Sequence, residues 1–228
     1  MPTTTNANAI NASASLLAAR YRGVLPRASA AKRLFDVVGA LALLIAAAPL
    51  MVVIALLVKL DGGPVLFRHR RVGAAGVAFT CLKFRSMVVE ADRALAALLA
   101  QDPAARAQWE AEFKLRRDPR VTWLGGFLRR SSLDELPQLF NVLAGDMSLV
   151  GPRPIVQAEI ARYGTRIADY LSCRPGITGL WQVSGRNDVA YDQRVALDSR
   201  YAREWSLRRD LTILLQTFRA VMRRAGAY

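Results

Sequence analysis

Ser131-Ser-Leu-Asp-Glu-Leu-Pro-Gln-Leu-Phe-Asn-Val-Leu-Ala-Gly-Asp-Met-Ser-Leu-Val-Gly-Pro-Arg-Pro154 is the stretch on which the fold turns. Leu136, Leu139, Phe140 and Leu143 recur at helical spacing, which gives a helix one apolar face. Pro137 fits the first turn of that helix, where a backbone N–H has no intrahelical partner to lose. Gly145 suits the residue just past its end. A second short element closes with Gly151-Pro152-Arg153-Pro154. Prolines on both sides of Arg153 hold the backbone extended and aim its guanidinium at little entropic cost.

Two readings of Asp134 and Glu135 follow from this setting. In one they are structural: Asp134 is the helix N-cap with Pro137 at the third helical position, or Ser132 and Glu135 form a capping box. In the other they form an acidic pair beside the positive end of a helix, with Arg129, Arg130 and Arg153 near by. Such surroundings attract phosphate and keep a carboxylate ionised. An ionised carboxylate there serves as a metal ligand or as a nucleophile toward phosphorus.

The whole chain has 228 residues, 53% of them hydrophobic, yet carries a formal net charge of +14. Its mean hydropathy is +0.17 and its pI about 10.9. Apolar and basic together suit an anionic membrane surface or a phosphate-rich ligand; nucleic acid is the other partner such charge fits. Cys81 and Cys173 are isolated, so neither a disulfide framework nor a zinc site is indicated. His69 is the only histidine, which excludes a Ser-His triad centred elsewhere.

Residues 1–30 are rich in Ala, Asn, Ser and Thr and read as a mobile tail, without the basic start and apolar run of a secretory signal. Val37 to Val58 is then uncharged. At about 22 residues, or ~33 Å as a helix, it is long enough to cross a bilayer. Pro49 lies near its middle and cannot donate to the carbonyl of Ile45, so a kink is expected. Basic residues flank both ends: Lys32 and Arg33 before, Lys59, Arg68, Arg70 and Arg71 after. The positive-inside rule disfavours separating them across a membrane. A helix that enters, bends at Pro49 and returns satisfies both features; a kinked spanning helix is the alternative.

Asp61-Gly62-Gly63-Pro64 is a turn. Val65–Arg68 and Val77–Leu82 read as short strands around Gly73–Gly76, a hairpin. Lys83-Phe84-Arg85, read as a strand, puts two cations on one face. Ala91–Ala100 forms a helix, and Asp102-Pro103 caps and starts another that carries Trp109. Gly176, Gly179 and Gly185, with Arg174 and Arg186, make a glycine-spaced loop that could bring N–H groups to an anion, although structural turns share that spacing and no Walker ending closes it. A last helix from about Asp198 to Arg224 carries an apolar stripe, Leu207 to Met222, whose default reading is core packing, while its basic rim and Trp205 also suit an interfacial helix.

Taken together, several segments resemble one family, the bacterial sugar transferases: monotopic phosphoglycosyl transferases that load a sugar phosphate onto a polyprenyl phosphate. They are Lys32-Arg33-Leu-Phe-Asp36, the proline-broken apolar helix, Gly63-Pro-Val-Leu-Phe67, Lys83-Phe-Arg-Ser-Met87, Ser132 to Leu139, Asn141 to Pro154, and Arg174 to Asn187. The resemblance covers the chain from about residue 31 to its end. It implies a mainly α fold with a small β-hairpin, a re-entrant helix over 31–60 broken at Pro49, interfacial amphipathic helices, and a catalytic part over 61–228 on the cytoplasmic face of the bacterial inner membrane.

The implied reaction moves a sugar 1-phosphate from a UDP-sugar to undecaprenyl phosphate and releases UMP, the first membrane step of exopolysaccharide, capsule, O-antigen or glycoconjugate synthesis. Asp134 matches the nucleophile of the family, which forms a covalent aspartyl-phosphosugar. By the same resemblance Glu135, with Asp134 beside it, is expected to help hold Mg²⁺, and Arg129 and Arg153 match positions that handle phosphate. Lys83, Arg85, Arg186 and Asp210 fall in family motifs as substrate contacts or site support. Membrane lipid is a partner and nucleic acid is not; a second copy of the chain stays open. Two positions depart from the family pattern: Ala48, where a serine often precedes the proline, and His69, where glutamine is common. Outside this family, a membrane-anchored nucleic-acid-binding protein and a non-catalytic assembly scaffold are the alternatives. The first leaves the acidic pair and the broken helix unexplained.

Overall fold

The computed structural model describes residues 29–112, 115, 118–185 and 189–222. Apart from Ser29 and Ala30, the tail expected over residues 1–30 lies outside them. The described chain is mainly helical. It opens with helix α1, Ala30–Lys59, whose N-cap Ser29 accepts the N–H of Lys32. Mean hydropathy along its most apolar window reaches 3.0. Its buried residues lie only toward the two ends: Lys32, Asp36 and Ala40 near the start, Ile54 and Val58 near the finish. Between them the apolar side chains stand bare, Ile45 at 68% exposure. Helical geometry continues through Pro49.

Each end of α1 is fastened to the rest of the chain by a buried cation. At the start, the Lys32 ammonium meets Asp36 at 3.1 Å and Asp210 at 2.8 Å, and donates to the carbonyl of Val150. Asp36 Oδ1 also accepts from the Ser148 hydroxyl and the Leu149 N–H. Asp210 accepts from the Tyr201 hydroxyl and the Trp205 indole. At the finish, Arg85 donates to the carbonyls of Val58 and Pro64 and pairs with Asp61. That pairing and the N–H of Gly63 hold the Asp61 carboxyl down at about 2.

The central stretch forms helix α5, Gln138–Ala144, after helices α2 (Ala91–Gln101), α3 (Pro103–Glu112) and α4 (Trp123–Ser131). Its Val142 and Leu139 are buried in the main core with Ala40, Met147, Leu149 and Ile213. Gly145 ends it at φ 93°, the left-handed conformation expected of that position. Two arginines add donors to carbonyls at the helix end: Arg33 donates to Val142 and Leu143, and Arg174 to Gly145.

Asn141 ties α5 to the hairpin of strands β1 (Leu66–Val72) and β2 (Ala78–Phe84), which pair antiparallel. Its amide accepts from the N–H of Leu82 at 3.0 Å and donates to the carbonyl of Thr80 at 2.7 Å, filling backbone positions on β2. A second core under the hairpin contains Val72, Ile155, Tyr170 and Leu171. A third gathers Ile54 and Val58 of α1 with Phe84 and Leu128.

Three sequence expectations change. Beyond the hairpin there is a second, parallel pair, β3 (Ser148–Val150) with β4 (Gly176–Thr178), each strand too short for periodicity to register. Short helices α6 (Ile160–Tyr163), α7 (Ile167–Leu171) and α8 (Leu180–Val183) flank these strands. The final helix is two: α9, Tyr191–Arg203, and α10, Leu207–Met222, separated at Glu204 to Ser206. The break lets Tyr201 and Trp205 both donate to Asp210. The α10 stripe is not simply core: Ile213 is buried, while Leu211, Leu215 and Phe218 are exposed.

Candidate active site

The acidic pair lies on neither kind of cap. α4 ends at Ser131, and Ser132 adopts a left-handed φ of 58°. That conformation costs a residue with a Cβ roughly 1 kcal/mol, and it turns the chain sharply into a 3₁₀ turn, Leu133–Glu135. Neither Ser132 nor Pro137, which precede the turn and α5, makes a side-chain capping bond. The structural reading of Asp134 and Glu135 as helix caps is therefore overturned. The turn delivers both carboxylates into a cavity of about 960 Å³.

The cavity wall joins two chemistries. Lys83, Arg129, Arg153, Asp134 and Glu135 line one part; Leu43, Ala47 and Leu50 of α1, with Leu214 and Phe218 of α10, line another. Lys83 pairs with Glu135. Arg129 donates to the Ser86 hydroxyl at 2.8 Å, which fixes its reach from the end of α4. Arg153 stacks over the Trp181 ring at 5.8 Å, and Arg194 approaches the same ring at 4.9 Å. Arg153 thus reaches the cavity wall, and the buried indole holds its guanidinium there.

Asp134 is only 8% exposed. Burial pushes its carboxyl up to about 6; Lys83 pulls it down, Glu135 pushes it up, and Arg129 pulls it down again. Nearby cations do not hold it at the ordinary acidity of a carboxyl, because desolvation outweighs them. The result is a carboxylate more basic than one in water, yet ionised at neutral pH. If it attacks phosphorus, kcat/KM should rise with pH through about 6, since the protonated form is inert. A pH–rate profile that is flat between pH 5 and 7 would count against that use.

The remaining predicted residues divide. Arg85 and Asp210 lie outside the cavity lining; they are the two fastenings of α1 described above. The strand carrying Lys83 ends at Phe84, so Lys83 and Arg85 part company. Arg186 lies outside the described residues. In the glycine-spaced loop the Gly176 amide is taken within the protein, donating to the carbonyl of Pro152. A Cβ on Gly176 would come within 2.1 Å of the Gly151 nitrogen, and one on Gly179 within 2.2 Å of the Gly151 oxygen. These glycines let two backbones touch.

Sequence reasoning missed Ser86, Arg71, Trp181 and the apolar wall. Extending the period-two pattern of β1 past Arg68 would have brought Arg71 to the cavity face beside Phe67 and His69, as observed. Trp181 had no local signal. Among the described residues no cluster of three His, Cys, Asp or Glu side chains could hold a metal. Two adjacent carboxylates do suit Mg²⁺, which binds one or two carboxylates together with substrate phosphates and water.

The sequence model for bacterial sugar transferases matches residues 27–224. The chain is similar to an undecaprenyl-phosphate galactose phosphotransferase of Salmonella typhimurium, 57% identical over 197 residues, 86% of this chain and 41% of that one. It is 49% identical over 206 residues to the exopolysaccharide production protein ExoY of Rhizobium meliloti, covering 90% of this chain and 91% of the relative. A UDP-glucose:undecaprenyl-phosphate glucose-1-phosphate transferase of Caulobacter vibrioides is 43% identical over 227 residues, 95% of this chain and 79% of that one. The chain thus spans about two fifths of the Salmonella relative and nearly all of ExoY.

Proposed function

The chain belongs to the bacterial sugar transferase family, and from that premise we propose that it transfers a sugar 1-phosphate from a UDP-sugar to undecaprenyl phosphate at a membrane surface. The observation that carries the reading is the cavity itself, which joins an acidic pair ringed by cations to an apolar wall supplied by α1 and α10. A soluble nucleotide sugar suits the charged part. A polyprenyl chain suits the apolar part, with its phosphate among Lys83, Arg129 and Arg153.

In this mechanism an oxygen of Asp134 attacks the phosphorus that bears the sugar. The bond from that phosphorus to the bridging oxygen breaks, and UMP leaves with the electron pair. Lys83, Arg129 and Arg153 reduce repulsion between the anionic partners and stabilise charge on the phosphoryl oxygens. A phosphate oxygen of undecaprenyl phosphate then attacks the sugar-phosphoryl aspartate. The bond to Asp134 breaks, and the carboxylate returns. One site can serve both steps because UMP has left before the lipid phosphate arrives. Asp134 and Glu135 would hold Mg²⁺, which when bound neutralises diphosphate charge. Glu135 also keeps Lys83 beside the nucleophile.

The test is UMP release from a panel of UDP-sugars with undecaprenyl phosphate. Product should form with Mg²⁺, vanish in excess EDTA and return on adding Mg²⁺. Release of UMP unaffected by EDTA would remove the metal, and no release with any UDP-sugar would remove the reaction.

Membrane placement follows the same logic. Both ends of α1 dock on one body while its middle is bare and apolar, which supports a helix that enters and returns to the cytoplasmic face. Cysteines introduced beside Lys32 and beside Asp61 should therefore react with an impermeant thiol reagent from the same side. Labelling from opposite sides would favour a spanning helix.

A further inference from the structure

We propose that His69 determines sugar specificity: its imidazole hydrogen-bonds a hydroxyl of the transferred hexose and so selects among epimers. The inference rests on the transferase reading above and deepens it. Strand β1 alternates, so Phe67, His69 and Arg71 line the cavity while Arg68 and Arg70 are exposed. Across the hairpin, Lys83 stands opposite Phe67 and Cys81 opposite His69, both also on the cavity. Lys83 reaches Glu135, the neighbour of Asp134. His69 therefore shares a wall with the group that orders the acidic pair, one row or about 7 Å further along the strand.

The other groups on this wall suit phosphate rather than sugar. Lys83 and Arg71 are charged donors without acceptor capacity, which draws them to phosphate oxygens. A neutral imidazole offers one donor and one acceptor and can engage a hydroxyl in both senses. Burial, then Arg71 and Lys83, hold the His69 imidazole down at about 4. It stays neutral at physiological pH and adds no charge to the phosphate site. Among the described residues neither ring nitrogen makes a hydrogen bond within the protein. The Phe67 ring, 5.7 Å away, restrains one side of it.

Galactose and glucose differ only in the direction of one hydroxyl, so UDP-galactose and UDP-glucose are the probes. The readout is the ratio of their kcat/KM values for UMP release, with inhibition by UDP as a check on the fold and on phosphate binding. Wild type should prefer one hexose. His69→Ala should shrink that preference about tenfold, the scale of one neutral hydrogen bond, with inhibition by UDP unchanged. His69→Gln, which keeps a donor and an acceptor, should retain most of it. Where His69→Ala fails to accumulate, His69→Phe carries the same expectation. Equal losses for both sugars, an unchanged ratio, or a wild type indifferent to the two would overturn the assignment while leaving the reaction intact. A wild type that releases UMP from no UDP-sugar would overturn both.

Discussion

Asp134→Asn should abolish UMP release, by at least ~10³-fold, and raise rather than lower thermal stability. The amide keeps the shape but cannot attack phosphorus. Because the structure removes Asp134 from any capping role, no helix loses a partner. The stability effect has a definite sign. The carboxyl titrates at about 6 in the folded chain against an ordinary value of 3.8. A raised carboxyl value means that the folded state holds the proton more tightly. Above both values, at pH 7 and higher, the ionised group opposes folding by on the order of 3 kcal/mol. That cost fades as pH falls through 6. A neutral amide removes it, so the variant should melt higher near neutrality and lose this advantage near pH 4. Wild type incubated with a radiolabelled UDP-sugar and no lipid should keep label on Asp134 and discharge it to undecaprenyl phosphate. An Asp134→Asn protein that turns over normally and carries no label would end the covalent mechanism.

Lys32→Met should cost about 3–5 kcal/mol, the scale for removing one partner from a buried ion pair. The loss would leave Asp36 and Asp210, each about 1% exposed or less, facing one another without a cation. Ser148, Leu149, Tyr201 and Trp205 donate to those carboxylates, but none is charged. The measurement is the thermal midpoint in detergent micelles. Adding Asp36→Leu and Asp210→Leu to Lys32→Met should recover part of the loss, since the isolated charges are then gone. A Lys32→Met protein as stable as wild type would show that the network contributes little. The comparison also separates fastening from chemistry: Asp210 should matter for folding and not for the pH dependence of turnover.

Much of this architecture was legible where physical signals are local. The uncharged run of α1, the helix over residues 138–144 and its terminal Gly145 follow from periodicity and from the one residue that tolerates a left-handed turn. The hairpin followed from its glycines, although its strands run further than their apolar residues suggested, since Arg68 and Arg70 continue β1 on its solvent side. What could not be read was assembly across distance. Asp210 and Arg85 carry the residue types of substrate contacts, and only the packing shows that their partners are Lys32 and Asp61. Asp134 was found, but the balance between burial and cations around it was not, because the sequence shows the arginines and hides the desolvation. Trp181 under Arg153 and the wall of Leu43, Leu50 and Phe218 arise from segments far apart in the chain.

The contact among Gly151, Gly176 and Gly179 bears on how such a protein can diversify. A single base change turns a glycine codon into one for alanine, so these positions are sampled often by mutation. At each of them an added methyl meets main chain at 2.1 to 2.3 Å, and main chain cannot swing aside as a side-chain tip can. The loop with Arg153 and the strand leading to Trp181 are thereby locked as one inherited block. Variation at the cavity is then channelled to positions such as those on β1, whose side chains face open space.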